Sequence, residues 1–234
     1  DGPNATDSDA IAISAGGTVK QVLILRMKMR HFYSQIGFST STLDYNNANG
    51  YPGHTLYDDI AVVQCDARDI IGGGQGNIMS LSASRLSLLD NYLYNSTGNE
   101  HILRVFWAQK SVISSNYFEL PNPNKHHLKL HAPGWETAGL GFHQYSEKII
   151  ISDNLFVGGG NAWTVCLGPQ DAVNDERVRD VIVEKNRLYS GVGTVSALNV
   201  WATNITVRNN IFDMTGGAYF TPIAVGPRGI EPPP

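Results

Sequence analysis

Between Arg104 and His131 the chain gathers Arg104, Lys125, His126, His127, Lys129 and His131, and His143 and Tyr145 follow close behind. So dense a set of cations and imidazoles exceeds what a chain of net charge −4 needs for solubility. Groups of these types bind carboxylates, and they support one further chemistry. Cations neutralise a carboxylate so that the adjacent C–H becomes acidic, and a Lys, Arg, His or Tyr then takes the proton. On an extended strand Lys129 and His131 point to the same side, which suits neutraliser and base in either order. Strict alternation turns Arg104 inward, where a guanidinium needs a partner, whereas a one-residue bulge turns it outward. The same cluster could instead tie loops to the body of the protein. His127 and His131 lack a third ligand, so a metal centre is not expected.

The elements that must position these groups are set by a repeat. NIMSLSASRLSLLDNYL (77–93), HILRVFWAQKSVISSNYF (101–118) and SALNVWATNITVRNNIF (196–212) share one pattern, with Ala83, Ala108 and Ala202 each eight residues before Asn91, Asn116 and Asn210. Two copies with insertions lead to Asn154 and Asn186, so the asparagines are 25, 38, 32 and 24 residues apart. Repeats of this length with two β-runs each, and no 3.6-residue apolar stripe, indicate an all-β solenoid. The fold expected is a right-handed parallel β-helix of roughly eight or nine coils, about 40 Å long at the interstrand spacing. Each asparagine amide would then bond the asparagines above and below it and satisfy buried corner groups. The Phe or Leu two positions on would return to the interior.

Aligning the first strands on their alanine or glycine corner stacks Ser82, Trp107, His131, Leu167, Trp201 and Val225 at one outward position. Two residues earlier stand Ser80, Val105, Lys129, Val165, Asn199 and Ile223. Flat rings can stack on sugar faces while polar neighbours bond the hydroxyls, so Trp107 and Trp201, with His127, Tyr145 and Asn199, read as a saccharide track. Equally, excursion loops could cover the aromatics as a satellite core. The excursions expected are 34–58, 119–127, 132–147 and 169–177. Over 19–29, alternation would place Arg26, Lys28 and Arg30 outside and Leu25, Met27 and Met29 inside.

SVISSNYF followed by a strand resembles the coils of the pectate-lyase-like superfamily of right-handed parallel β-helices, as does DSDAIAIS (7–14). The resemblance implies a secreted or extracellular protein that acts on a polysaccharide or oligosaccharide, most simply a lyase cleaving a uronate-containing glycan by β-elimination; the residues expected at its centre, Lys129, His131 and Arg104, come from the cation and imidazole cluster itself. Pectate lyases carry calcium aspartates on this sheet and an Arg-x-Pro-x-x-Arg segment. The comparable AWTVCLGPQ has no Arg and VFWAQK has no aspartate, so calcium is not supported and no cofactor is expected. NATD (4–7), YDDIAVV (57–63) and GGGQG (72–76) resemble the motifs of polygalacturonase-like hydrolases, except that Gln75 replaces a His. That alternative makes Asp58 and Asp59, with Asp7 or Asp9, the acid and base. A non-catalytic, tailspike-like glycan binder is the third reading.

Composition bounds the rest. At 234 residues and 42% hydrophobic content, 1–234 reads as one elongated domain. The charge balance gives no general attraction to nucleic acid, and no run of 18 apolar residues would span a membrane. Cys65 and Cys166 fall several coils apart and are expected as buried thiols, not a bridge. A start at Asp1 without Met and an end in RGIEPPP suggest a segment of a longer solenoid. The oligomeric state is not readable from the residues.

Overall fold

The computed structural model describes residues 9–12, 19–38, 57–70, 76–96, 100–131, 145–159, 161–168, 177–189, 196–215 and 221–226. These residues are all-β: short strands run from β1 (Asp9–Ala12) to β21 (Ile223–Val225), no helix occurs among them, and every strand pairing is parallel. The strands fall into three faces. The first includes β4 (Ser34–Phe38), β7 (Met79–Ser84), the start of β10 (Leu103–Ser114), β12 (Leu128–Leu130), β15 (Val165–Leu167) and β18 (Leu198–Val200). The second includes β2 (Val19–Leu25), β5 (Tyr57–Val63), the end of β10, β13 (Tyr145–Ser152), β16 (Arg177–Glu184) and β19 (Thr203–Arg208). The third is the seven-stranded sheet from β3 (Lys28–Arg30) to β20 (Ile211–Asp213). Parallel strands stacked this way are compatible with a β-solenoid.

The asparagine file forms as the repeat requires. Asn91 donates its backbone N–H (3.0 Å) and side-chain N–H (2.9 Å) to Asn116 Oδ1, and its other amide hydrogen goes to Val62 O. Asn116 treats Asn154 in the same manner, Asn154 treats Asn186, and Asn186 treats Asn210. Cys65 N–H bonds Asn91 Oδ1 and heads the file. Inside, Leu93, Phe118, Phe156, Leu188 and Phe212 stack in register, with the Phe118 and Phe156 rings 4.7 Å apart. An offset aromatic pair adds about 0.5–1.5 kcal/mol beyond its burial.

A second regularity makes the corners. Among the described residues, the eighteen non-glycine residues with positive φ lie five residues apart within a turn: Gln21, Arg26 and His31; Asp59, Gln64 and Asp69; Arg85, Asp90 and Asn95; Lys110, Ser115 and Leu120; Lys148 and Asp153; Asp180 and Lys185; Asn204 and Asn209. Each left-handed residue costs about 1–2 kcal/mol, so the stacked rungs must hold it there. Neighbouring corners bond one another, as in Arg26 Nε to Gln64 Oε1 (2.9 Å), Gln64 Nε2 to Asp90 Oδ2 (3.1 Å) and Asn95 Nδ2 to Asp69 Oδ1 (2.8 Å).

These corners correct several expectations. Ile24 takes the inside in the first strand, so Leu25 lies exposed, and Arg26 then resets the alternation so that Met27 is exposed and only Met29 of the three is inside. Residues 34–58 are not one excursion, because Ser34–Phe38 is a strand and Tyr57 and Asp58 begin another; 39–56 lie outside the described residues. Nor is 119–127 an insertion. Glu119 ends a strand, and described residues after it bond residues about 25 earlier, with Ser96 N–H on Leu120 O (2.9 Å), Lys125 Nζ on Glu100 Oε1 (2.7 Å) and His126 N–H on His101 Nδ1 (3.0 Å). In the last two, Tyr145–Glu147 and Arg177 are strand residues, while 132–144, with His143, and 169–176 lie outside the described residues. Both cysteines are free and buried.

Candidate functional site

On the first face, Leu81, Val105, Leu130, Leu167 and Val200 form one inward aliphatic row. Alternation then sends their predecessors outward as Ser80, Arg104, Lys129, Cys166 and Asn199, paired rung by rung. The expected row therefore held Ser80, Lys129 and Asn199 but took Val105, Val165 and Ile223 for Arg104, Cys166 and Ala224, and Leu167 and Val225, expected outward, belong to the inward register line. The bulge that turns Arg104 outward is present: the register slips between Val105 and Trp107, leaving Phe106 as the extra residue. Beyond the row, His131 sits on the rung beside Gly168, and Gly168 beside Trp201. A Cβ at Gly168 would lie 2.3 Å from Trp201 O, and its φ is +126°, so the backbone here needs glycine.

The three candidate groups meet. Arg104 and Lys129 are register partners, and Arg104 Nε donates to His131 Nε2 at 3.3 Å. The Arg104 guanidinium lies 4.5 Å over the Phe106 ring, which stacks on His131. Lys129 Nζ donates to Cys166 Sγ (3.2 Å) and Gly168 O (3.1 Å). Arg104 is half-buried, whereas Lys129 is 1% and His131 3% exposed. The row thus sets two cations side by side and has no carboxylate among its own members, which suits an anion held in a low-dielectric setting. It does not suit calcium, which takes oxygen ligands. Among the described residues no group of three or more His, Cys, Asp or Glu side chains is placed to hold a metal.

The other predicted residues fare differently. Trp107 is no open platform: it is 4% exposed and its indole N–H donates to Tyr145 O (3.1 Å). Tyr145 is half-buried under the Arg179 guanidinium, 3.9 Å from its ring centroid. Trp201 is half-buried and Asn199 is buried, 3.8 Å from Cys166 Sγ. Asp58 is bound to Arg85 at 2.5 Å with Oδ1 unbonded, while Asp59 is exposed at a left-handed corner. Sequence reasoning missed Phe106, visible only through the bulge, and Cys166, which shares Lys129's register.

His127 is not part of the site. It is fully buried in the interior, edge-on to Phe156; Nε2–H donates to Val157 O (2.9 Å) and Nδ1 has no partner. Burial pushes its pKa down from 6.5 to about 4. The folded protein therefore binds this proton less readily than the unfolded chain, and stability falls as pH drops from about 6.5 to about 4, by about 3 kcal/mol at this one residue. His101, also buried and stacked 4.9 Å from His126, is held well below its ordinary value by desolvation first and by His126 next. Replacing His127 by Ile, the residue at 78 and 102 in the rungs before it, should flatten the acid limb of a urea-midpoint series. An unchanged limb would contradict the assignment.

No protein-family model matches the chain, and no curated protein matches it.

Proposed function

We propose that the chain is a right-handed parallel β-helix of pectate-lyase-like architecture that cleaves a uronate-containing glycan by β-elimination. Right-handedness rests on the rule that crossover connections between parallel strands of one sheet are right-handed in about 98% of cases. The activity rests on the convergence of Arg104, Lys129 and His131 on one outer face. Arg104, the half-open member, meets the carboxylate first, and Lys129 completes its neutralisation. As the guanidinium turns to the substrate, His131 Nε2 loses the N–H it accepts and its lone pair becomes available. It then takes the proton alpha to the carboxylate; the C–H electron pair forms the C=C bond as the C–O bond on the next carbon breaks, the leaving glycosidic oxygen takes a proton from solvent water, and His131 returns its own to solvent. A secreted or extracellular setting goes with such a polymeric substrate.

The hydrolase reading has less support, since Asp58 is tied to Arg85 and Asp59 stands on a corner, off the first face. The binder reading loses its main platform with Trp107 buried. Arg104→Gln tests the proposal: unsaturated-product absorbance should show KM raised about tenfold or more, the loss of one charge-assisted contact. Unchanged kinetics would remove Arg104 from the site.

A further inference from the structure

The second face carries an outward row that a solvated sheet would make polar. Leu23, Ala61, Val112, Ile150 and Ile182 lie in one register line, interrupted by Ser87 and ended by Thr206. Leu23 is 62% and Ile150 36% exposed. Two lines of left-handed corners flank this face, one before it and one after it, five residues apart on every rung. On three of the seven rungs both corners are charged, and there the charges oppose each other: Arg85 with Asp90, Lys148 with Asp153, and Asp180 with Lys185.

We propose that the second face is the interface of a parallel homodimer whose twofold axis runs along the stacking direction of the rungs. Such an axis allows no sliding, so each rung meets its own copy and the corner before the face meets the partner's corner after it. All three charged pairs are then attractive, on both sides of the axis. A centred antiparallel dimer would instead set Arg85 against Lys148, Asp59 against Asp180 and Asp90 against Asp153, all like charges. The charge pattern thus selects a second copy and one orientation. Seven strands at the interstrand spacing and five residues of width give a face of about 30 Å by about 17 Å, near the lower limit of roughly 1,000 Å² for a specific interface. The dimer is therefore weak and concentration-dependent, and it leaves the first face outside the contact.

Lys148 and Asp153 are exposed and form no ion pair among the described residues, so exchanging their charges leaves the fold's own bonds in place. In sedimentation equilibrium the full chain should dimerise in the micromolar range. Lys148→Glu alone and Asp153→Lys alone should each weaken dimerisation about tenfold or more, because each sets like charges together twice. Mixed in equal amounts, the two variants should form a heterodimer, since both contacts become attractive again. Far-UV circular dichroism confirms that each is folded, and Lys185→Asp, at an exposed corner one rung on, should weaken dimerisation in the same way. A native chain that stays monomeric, single variants that dimerise as the native chain does, or a mixture no more associated than its parts would each overturn the proposal.

Discussion

Asn116→Ala should destabilise the protein by about 3–5 kcal/mol, among the largest effects of any single substitution. The change removes the oxygen that accepts both Asn91 donors and the amide that donates to Leu88 O (2.9 Å), Ser114 O (3.0 Å) and Asn154 Oδ1. Asn116 is buried, so water cannot replace these partners, and Ser115 beside it would lose a brace for its left-handed backbone. Asn210→Ala deletes a similar set at the half-buried end of the file, where water can substitute, and should cost about 1–2 kcal/mol. Urea unfolding measures both. Equal costs would mean that the file contributes no more inside the stack than at its end.

Lys129→Met should abolish elimination, lowering kcat/KM about a thousandfold or more, the scale of losing a preorganised charge at a dry site. The buried ammonium also serves Cys166 Sγ and Gly168 O, so its removal should lower stability by about 1–3 kcal/mol as well. Circular dichroism separates the two effects, because a folded but inactive variant places Lys129 in the chemistry. A variant that folds and retains full activity would leave Lys129 a purely structural donor.

The backbone plan was legible because Asn-x-(Phe/Leu) has one physical use when stacked, and the file from Asn91 to Asn210 follows the spacing read from the chain. The outer row was only half legible. Small residues were taken as the shared corner, yet Gly168 stands beside His131 and Trp201, one residue from the assumed alignment with Ala132 and Ala202. The inward aliphatic row from Leu81 to Val200 was the better anchor, since burial fixes register more firmly than a corner residue does. For Trp107 the residues left an open platform and a covered satellite core equally open; the structure has it covered, with its indole N–H donating to Tyr145 O. The five-residue corner period was present in the sequence as polar residues, such as Asp90, Ser115 and Asp153, immediately before each file asparagine. Simple alternation hides it, because every left-handed residue shifts the inside–outside phase of the strand that follows.

The most direct measurement is a single reaction of the full chain with a uronate polymer, followed at once by ultraviolet absorbance and by reducing-end release. The account predicts that both signals rise together, since each elimination creates one unsaturated uronate and one new end. Reducing ends without absorbance, or neither signal across a panel of acidic glycans, would contradict it.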